Sequence, residues 1–162
     1  MSSIFERHSK PGSKPPSYIT IKQSTIPGSG KGAFANCDIP KGVTIGEYLG
    51  KIYTGDAMDY TTGDYLFYVG GKNAKVIDGK TRKYSSWVRY INSPQKWSDG
   101  NAYFYQYGGG IFIKTKKVIP AGQEIFAYYG DAYIDDKLRK YFSRKTKPKI
   151  SQKKTGIKCK RA

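Results

Sequence analysis

The chain has 162 residues, with 29 Lys and Arg against 12 Asp and Glu, a formal net charge of +17, and 15 tyrosines. That length suits one domain with tails and a core that needs no staples; two distant cysteines, Cys37 and Cys159, and the single His8 make neither a disulfide framework nor a four-ligand zinc site. No run approaches the roughly 18 apolar residues that span a bilayer, and residues 1–16 lack the apolar core of a secretory leader, so a soluble intracellular protein with no membrane contact is expected.

Residues 1–17 are polar, with Pro11, Gly12, Pro15 and Pro16 scattered through them, and are expected to form a flexible arm that cannot fold alone. The body opens at Tyr18–Lys22, a β-branched and aromatic alternation that reads as a strand. Ile26–Ala35 then sets Gly28, Gly30 and Gly32 at alternate positions, a loop leading into a second strand. Without a Cβ, such a loop lets main-chain groups approach a neighbour closely. Its spacing fits neither a dinucleotide fingerprint nor a Walker A loop, which leaves a hairpin turn and a ligand loop both open.

Pro40–Gly42 makes a turn, and Val43–Ile52 reads as one or two strands broken at Gly46 and Gly50, with Tyr48 between the glycines. Thr54–Asp64 is a polar loop or short helix, Tyr65–Val69 a strand, and Val76–Gly79 a hairpin segment. Trp87–Asn92 follows, then a turn-like stretch from Pro94 to Gly100, an aromatic strand Ala102–Tyr107, the break Gly108–Gly110, and strand-like Ile111–Ile119. Ile125–Ala127 reads as a short buried strand ending in Tyr128-Tyr129-Gly130, a turn that could aim a phenol into a pocket. Ile134–Phe142 is expected as a helix, with Asp135 and Asp136 in its first turn. Lys137–Ala162 holds 12 of the basic residues and no acidic one, leaving 17 basic against 12 acidic residues in 1–136. A basic run of this kind reads either as a solvated, disordered end or as an arm that binds polyanions by counterion release. The sum is a β-rich α+β class of many short strands.

Four segments, GSGKGAFA, GEYLGKI, WVRYINS and GQEIFAYYGDAY, follow one another in an order that resembles the SET-domain family of protein lysine methyltransferases, most closely its PR/SET branch or minimal viral members. The resemblance covers 18–136. It implies a SET-domain (β-clip) fold of small curved sheets in which Arg89–Asn92 and Glu124–Gly130 meet in a C-terminal pseudoknot, and S-adenosylmethionine as methyl donor. By the same resemblance Gly30, Lys31 and Gly32 would meet the donor through main chain, Arg89, Tyr90, Asn92 and Tyr65 would wall it, and Tyr133 would stack on its adenine. Tyr129 would stand at the methyl-transfer centre, Tyr48 beside the lysine channel, Tyr103, Phe104 and Tyr105 along the channel walls, and Tyr128 would pack; no metal is required. A histone tail or another lysine-bearing protein is the implied substrate, with DNA or nucleosome contact through tail 137–162, a nuclear location (a host nucleus for a viral chain) and, as in some minimal members, pairing into a homodimer.

Three departures bear on that reading. Asn92-Ser93-Pro94 lacks the histidine of the common family motif, as PR-type members do, and no pre-SET or post-SET cysteine cluster is present. The alternative is therefore a catalytically inactive SET-like module that holds chromatin or nucleic acid.

Overall fold

The computed structural model describes residues 4–59, 61 and 63–130. Tyr133, the helix expected at 134–142 and the basic tail lie outside the described residues. Short runs of β-branched and aromatic residues between glycines form eight strands: β1 (Ile19–Gln23), β2 (Lys31–Ala35), β3 (Thr44–Tyr48), β4 (Lys51–Tyr53), β5 (Leu66–Val69), β6 (Lys75–Asp78), β7 (Ala102–Tyr107) and β8 (Gly110–Thr115). They make three small antiparallel sheets, ordered β1-β2, β3-β8-β7 and β4-β6-β5. The helical content of the described residues is three 3-10 turns, Gly55–Met58, Trp87–Tyr90 and Trp97–Asp99.

The strand expected at 43–52 divides at Leu49-Gly50 alone; Gly46 stays inside β3, where the pairing with β8 shifts register between Thr44 and Gly46. The glycine-rich loop closes a β1–β2 hairpin, the Ser24 amide donating to the Gly30 carbonyl at 2.8 Å.

Residues 124–129 thread between two other segments rather than joining a sheet. Asn92 bridges Phe126 in parallel, and Ala102 bridges Ala127. The Ala127 amide donates to the Asn92 carbonyl at 3.0 Å, the Ala102 amide to the Phe126 carbonyl at 3.0 Å, and the Ile125 amide to the Ala33 carbonyl at 2.8 Å. Buried backbone groups need such partners, and here the lacing itself brings Arg89–Asn92 against Glu124–Gly130. Ile45, Val88, Ile91, Ile113, Ile125 and Ala127 are buried in the one core that the three sheets share.

The arm expected to be flexible is docked along residues 4–12. Phe5 stands edge-on to Tyr18 at 5.1 Å, the Arg7 guanidinium lies 4.6 Å over the Tyr107 ring, and His8 meets Phe112 at 5.5 Å. His8 Nδ1 is 3.1 Å from a Glu47 carboxylate oxygen, the Glu47 amide donates to Ser9 Oγ at 2.9 Å, and the Gly12 amide donates to the Ser85 carbonyl at 2.9 Å. Average composition conceals such spaced anchors; each finds an aromatic face or a polar group that the body supplies.

Candidate active site

Four aromatic rings form a buried cluster. Tyr48 lies 4.4 Å from Phe67, and Phe104 lies 4.8 Å from Phe67, 6.2 Å from Tyr48 and 6.1 Å from Tyr129, all in tilted or edge arrangements that rings favour. Phe104 thus meets both tyrosine rings, and each phenol is tied to a backbone carbonyl. Tyr48 donates to the Tyr65 carbonyl at 2.7 Å, and Tyr129 donates to the Ile91 carbonyl. The Tyr129 amide in turn donates to Ser93 Oγ at 2.9 Å, so both ends of this residue are fastened to the segment it threads past.

Gly79 makes the Tyr48 placement possible, because a Cβ there would come 2.5 Å from the Tyr48 hydroxyl. Arg89 fixes that glycine. Its Nε donates to the Gly79 carbonyl at 2.8 Å and its Nη2 to the Lys80 carbonyl at 2.9 Å, while its guanidinium lies 4.7 Å from the Tyr65 ring centre and 5.0 Å from that of Tyr90. Cation–π attraction of this kind holds the two rings to one plate. Arg89, Tyr65 and Tyr90, three residues expected to wall one ligand, are thus brought together.

The glycine loop meets Asn92 on the other side. Asn92 Nδ2 donates to the Lys31 carbonyl at 3.0 Å and to Glu124 Oε1 at 3.3 Å. A Cβ on Gly32 would overlap the Glu124 carboxylate, so this glycine admits a side chain of the protein itself. Gly28 and Gly30 instead take positive φ, with nothing within 4 Å of a side-chain position.

The channel residues expected at 103–105 divide between the faces of β7, as strand alternation requires. Phe104 joins the buried cluster; Tyr105 turns the other way, its hydroxyl 2.8 Å from Thr44 Oγ1 and its ring 5.7 Å from Phe112, with Tyr103 6.3 Å from it. Tyr128 stands edge-on to Trp97 at 6.4 Å. Neither the motifs nor the resemblance assigns a role of its own to Phe67, Gly79 or Glu124. Phe67 lies within the run Tyr65–Val69, Glu124 is a lone acid leading an apolar run, and Gly79 is marked only as the end of the hairpin segment Val76–Gly79.

Burial raises the Tyr48 phenol well above its ordinary value near 10, with the Asp78 charge adding to the effect, and burial moves Tyr18 in the same direction. Below pH 10 both folded and unfolded chains keep the Tyr48 proton, and stability does not depend on it. Above about pH 10 the unfolded chain ionises first, so folding weakens as pH rises toward the folded value, by ~1.4 kcal/mol per pH unit for this phenol. Denaturant melts between pH 9 and 11 should therefore show a shallower alkaline loss for Tyr48→Phe than for the native chain; equal slopes would contradict it.

The sequence profile of the PR domain of PR domain zinc finger protein 2 matches residues 19–140. The chain belongs to the PR domain family. This PR domain is 33% identical over 118 residues to the Caenorhabditis elegans protein named histone-lysine N-methyltransferase set-17, covering 73% of the chain and 43% of the worm protein. It is 33% identical over 120 residues to histone-lysine N-methyltransferase PRDM7 of Homo sapiens, covering 73% of the chain and 24% of the human protein. The chain thus spans less than half the length of these two relatives. The methyltransferase domain of human PR domain-containing protein 2 shares the fold of this PR domain, with a TM-score of 0.62 at 22% identity over 71% of this chain and 78% of that one. A chain in a ctPRC2 complex with a mutated Ezh2 gives a TM-score of 0.59 at 28% identity, over 70% of this chain and 15% of that one. The small sheets laced by 124–129 are accordingly the SET-type fold.

Proposed function

We propose that this chain is an S-adenosylmethionine-dependent protein lysine N-methyltransferase acting on histone tails. The observation that carries the reading is the buried cluster of Tyr48, Phe67, Phe104 and Tyr129, in which Phe104 meets both tyrosine rings and each phenol is fastened to a carbonyl, beside a glycine loop clasped to Asn92. The names of the set-17 and PRDM7 relatives support the same reaction and the histone substrate.

The residues present fit the donor. The main chain at Gly28 and Gly30 is open on its side-chain side, next to a Lys31 carbonyl that Asn92 holds in place, which suits an ammonium-bearing amino-acid end. Gly30, Lys31, Gly32 and Asn92 would hold that end, and Tyr65, Arg89 and Tyr90 would form the wall beside it. When bound, the group supplies an electrophilic sulfonium methyl.

The chain's own residues prepare the lysine. Its amine, near pKa 10.4 in water, must lose a proton before it can attack. Aromatic walls at Tyr48, Phe104 and Tyr129 desolvate the amine, which lowers its pKa, and hold its stem in line for attack. The raised pKa of Tyr48 keeps this phenol neutral. It therefore serves as a fixed dipole that orients the amine, and solvent takes the proton. The basic run 137–162 adds an arm that draws the chain to nucleosomal polyanions.

The test is methyl transfer from labelled S-adenosylmethionine to core histones and to their lysine-to-arginine variants, with donor binding followed by calorimetry. Transfer that vanishes with one lysine is the expected result. Donor binding without transfer to any histone would move the chain to the inactive-module reading, and absence of both would end the donor reading as well.

A further inference from the structure

Glu124 is a buried carboxylate whose partners among the described residues are all neutral donors. Burying such a charge is costly unless its oxygens are hydrogen-bonded. Ser24 Oγ donates to Oε1 at 2.7 Å, and Asn92 Nδ2 donates to the same oxygen at 3.3 Å. The Thr25 amide and the Thr25 hydroxyl donate to Oε2 at 2.7 and 2.6 Å. Gly32 leaves the space in which the carboxylate sits. The carboxylate therefore grips the hairpin loop where it leaves β1, at 24–25, and through Asn92, which also donates to the Lys31 carbonyl, it is joined to the start of β2.

Its own backbone is anchored to β2 and to Asn101. Glu124 bridges Phe34 in antiparallel pairing, and its carbonyl accepts from Asn101 Nδ2 at 2.8 Å. The backbone pairing thus holds the carboxylate beside β2, and the carboxylate holds the other end of the loop at 24–25.

We infer that Glu124 is a positioning residue that sets the loop 24–32 at the width its methyl donor requires, through Ser24, Thr25 and Asn92. The inference rests on the donor reading of that loop. Shape alone does not satisfy this site, because it needs two acceptor oxygens. The Thr25 amide can only donate, and Asn92 presents its amino group because the Lys31 carbonyl accepts from the same nitrogen at 3.0 Å. An isosteric glutamine must aim its own amino group at one of them, so a donor faces a donor in either orientation.

The experiment compares the full chain with Glu124→Gln, Thr25→Val and the double variant, measuring S-adenosylmethionine affinity by calorimetry, histone turnover at saturating donor, and amide hydrogen exchange by segment. Glu124→Gln should weaken donor binding by about 10–100-fold, the range of one or two charge-assisted hydrogen bonds. Turnover at saturating donor should stay close to that of the native chain, and exchange should quicken across 24–32 while β3, β7 and β8 keep their rates. Thr25→Val should weaken binding in the native background and add nothing once Glu124 is glutamine. Unchanged affinity and loop exchange in Glu124→Gln would overturn the inference, and so would uniform loss of protection over all three sheets. If Glu124→Gln fails to fold, Thr25→Val and Ser24→Ala answer by the same two readings. If the native chain binds no donor, the proposed function fails, while loop exchange still decides whether the clasp exists.

Discussion

Turnover of Tyr129→Phe is expected to fall by about 10²–10³-fold, the loss seen when one positioned polar group is removed from a reacting centre. The residue is buried, its ring meets Phe104 and its hydroxyl is held by the Ile91 carbonyl, so its oxygen cannot wander from the place where the amine and methyl would meet. The ring stays in the variant, so the packing on Phe104 survives. Removing the donor to Ile91 should cost ~1–3 kcal/mol of stability, which the melting temperature reports separately from kcat. Donor affinity should hardly change, because the hydroxyl is tied to the Ile91 carbonyl while Asn92 and Glu124 hold the 24–32 loop. Tyr128→Phe is the matched control: its ring stands edge-on to Trp97, and its turnover should stay near that of the native chain. Equal losses in the two variants would refute the assignment of Tyr129 to the centre.

The difference between these neighbours shows how far the sequence could be read. The family resemblance that the four motifs carry implies that Tyr129 lies near Arg89–Asn92, and the lacing of Asn92 to Phe126 and of Ile91 to Tyr129 is that contact. Strand identities were legible because β-branched and aromatic runs between glycines leave little else for the chain to do. What stayed hidden was long-range and specific to particular atoms. Whether a glycine makes room for a ligand or for the protein cannot be read from Gly32 itself, since the occupant, Glu124, lies 92 positions away. Arg89 was legible as a wall residue, but not its bonds to the carbonyls of Gly79 and Lys80, which depend on how the β6 turn falls. The resemblance makes one wall of 103–105, but a strand alternates its faces, and the structure divides the run accordingly. The docked arm escaped for a related reason: Phe5, Arg7 and His8 are unremarkable until β7 and β8 present Tyr107 and Phe112 to them.

Asn92→Ala should separate the frame from the donor site. Asn92 serves both, but with different atoms. Its carbonyl accepts from the Ala127 amide and its backbone bridges Phe126, and an alanine keeps both contacts. Its side chain alone reaches the Lys31 carbonyl and the Glu124 carboxylate, and an alanine loses both. The threaded segment should therefore remain folded while the glycine loop comes loose. The expected result is a drop in S-adenosylmethionine affinity of about 10-fold or more, since one of the two lost bonds ends on a charged oxygen, with the KM for donor rising further than kcat falls. The two partners also predict coupling. Combined with Glu124→Gln, the Asn92→Ala loss should fall well short of the sum of the single losses, because both substitutions release the same loop. Additive losses would mean that Asn92 and Glu124 act on the donor independently, and the loop would then not be the shared element. A collapse of cooperative unfolding in Asn92→Ala alone would place its main role in the threaded frame and remove it from the donor site.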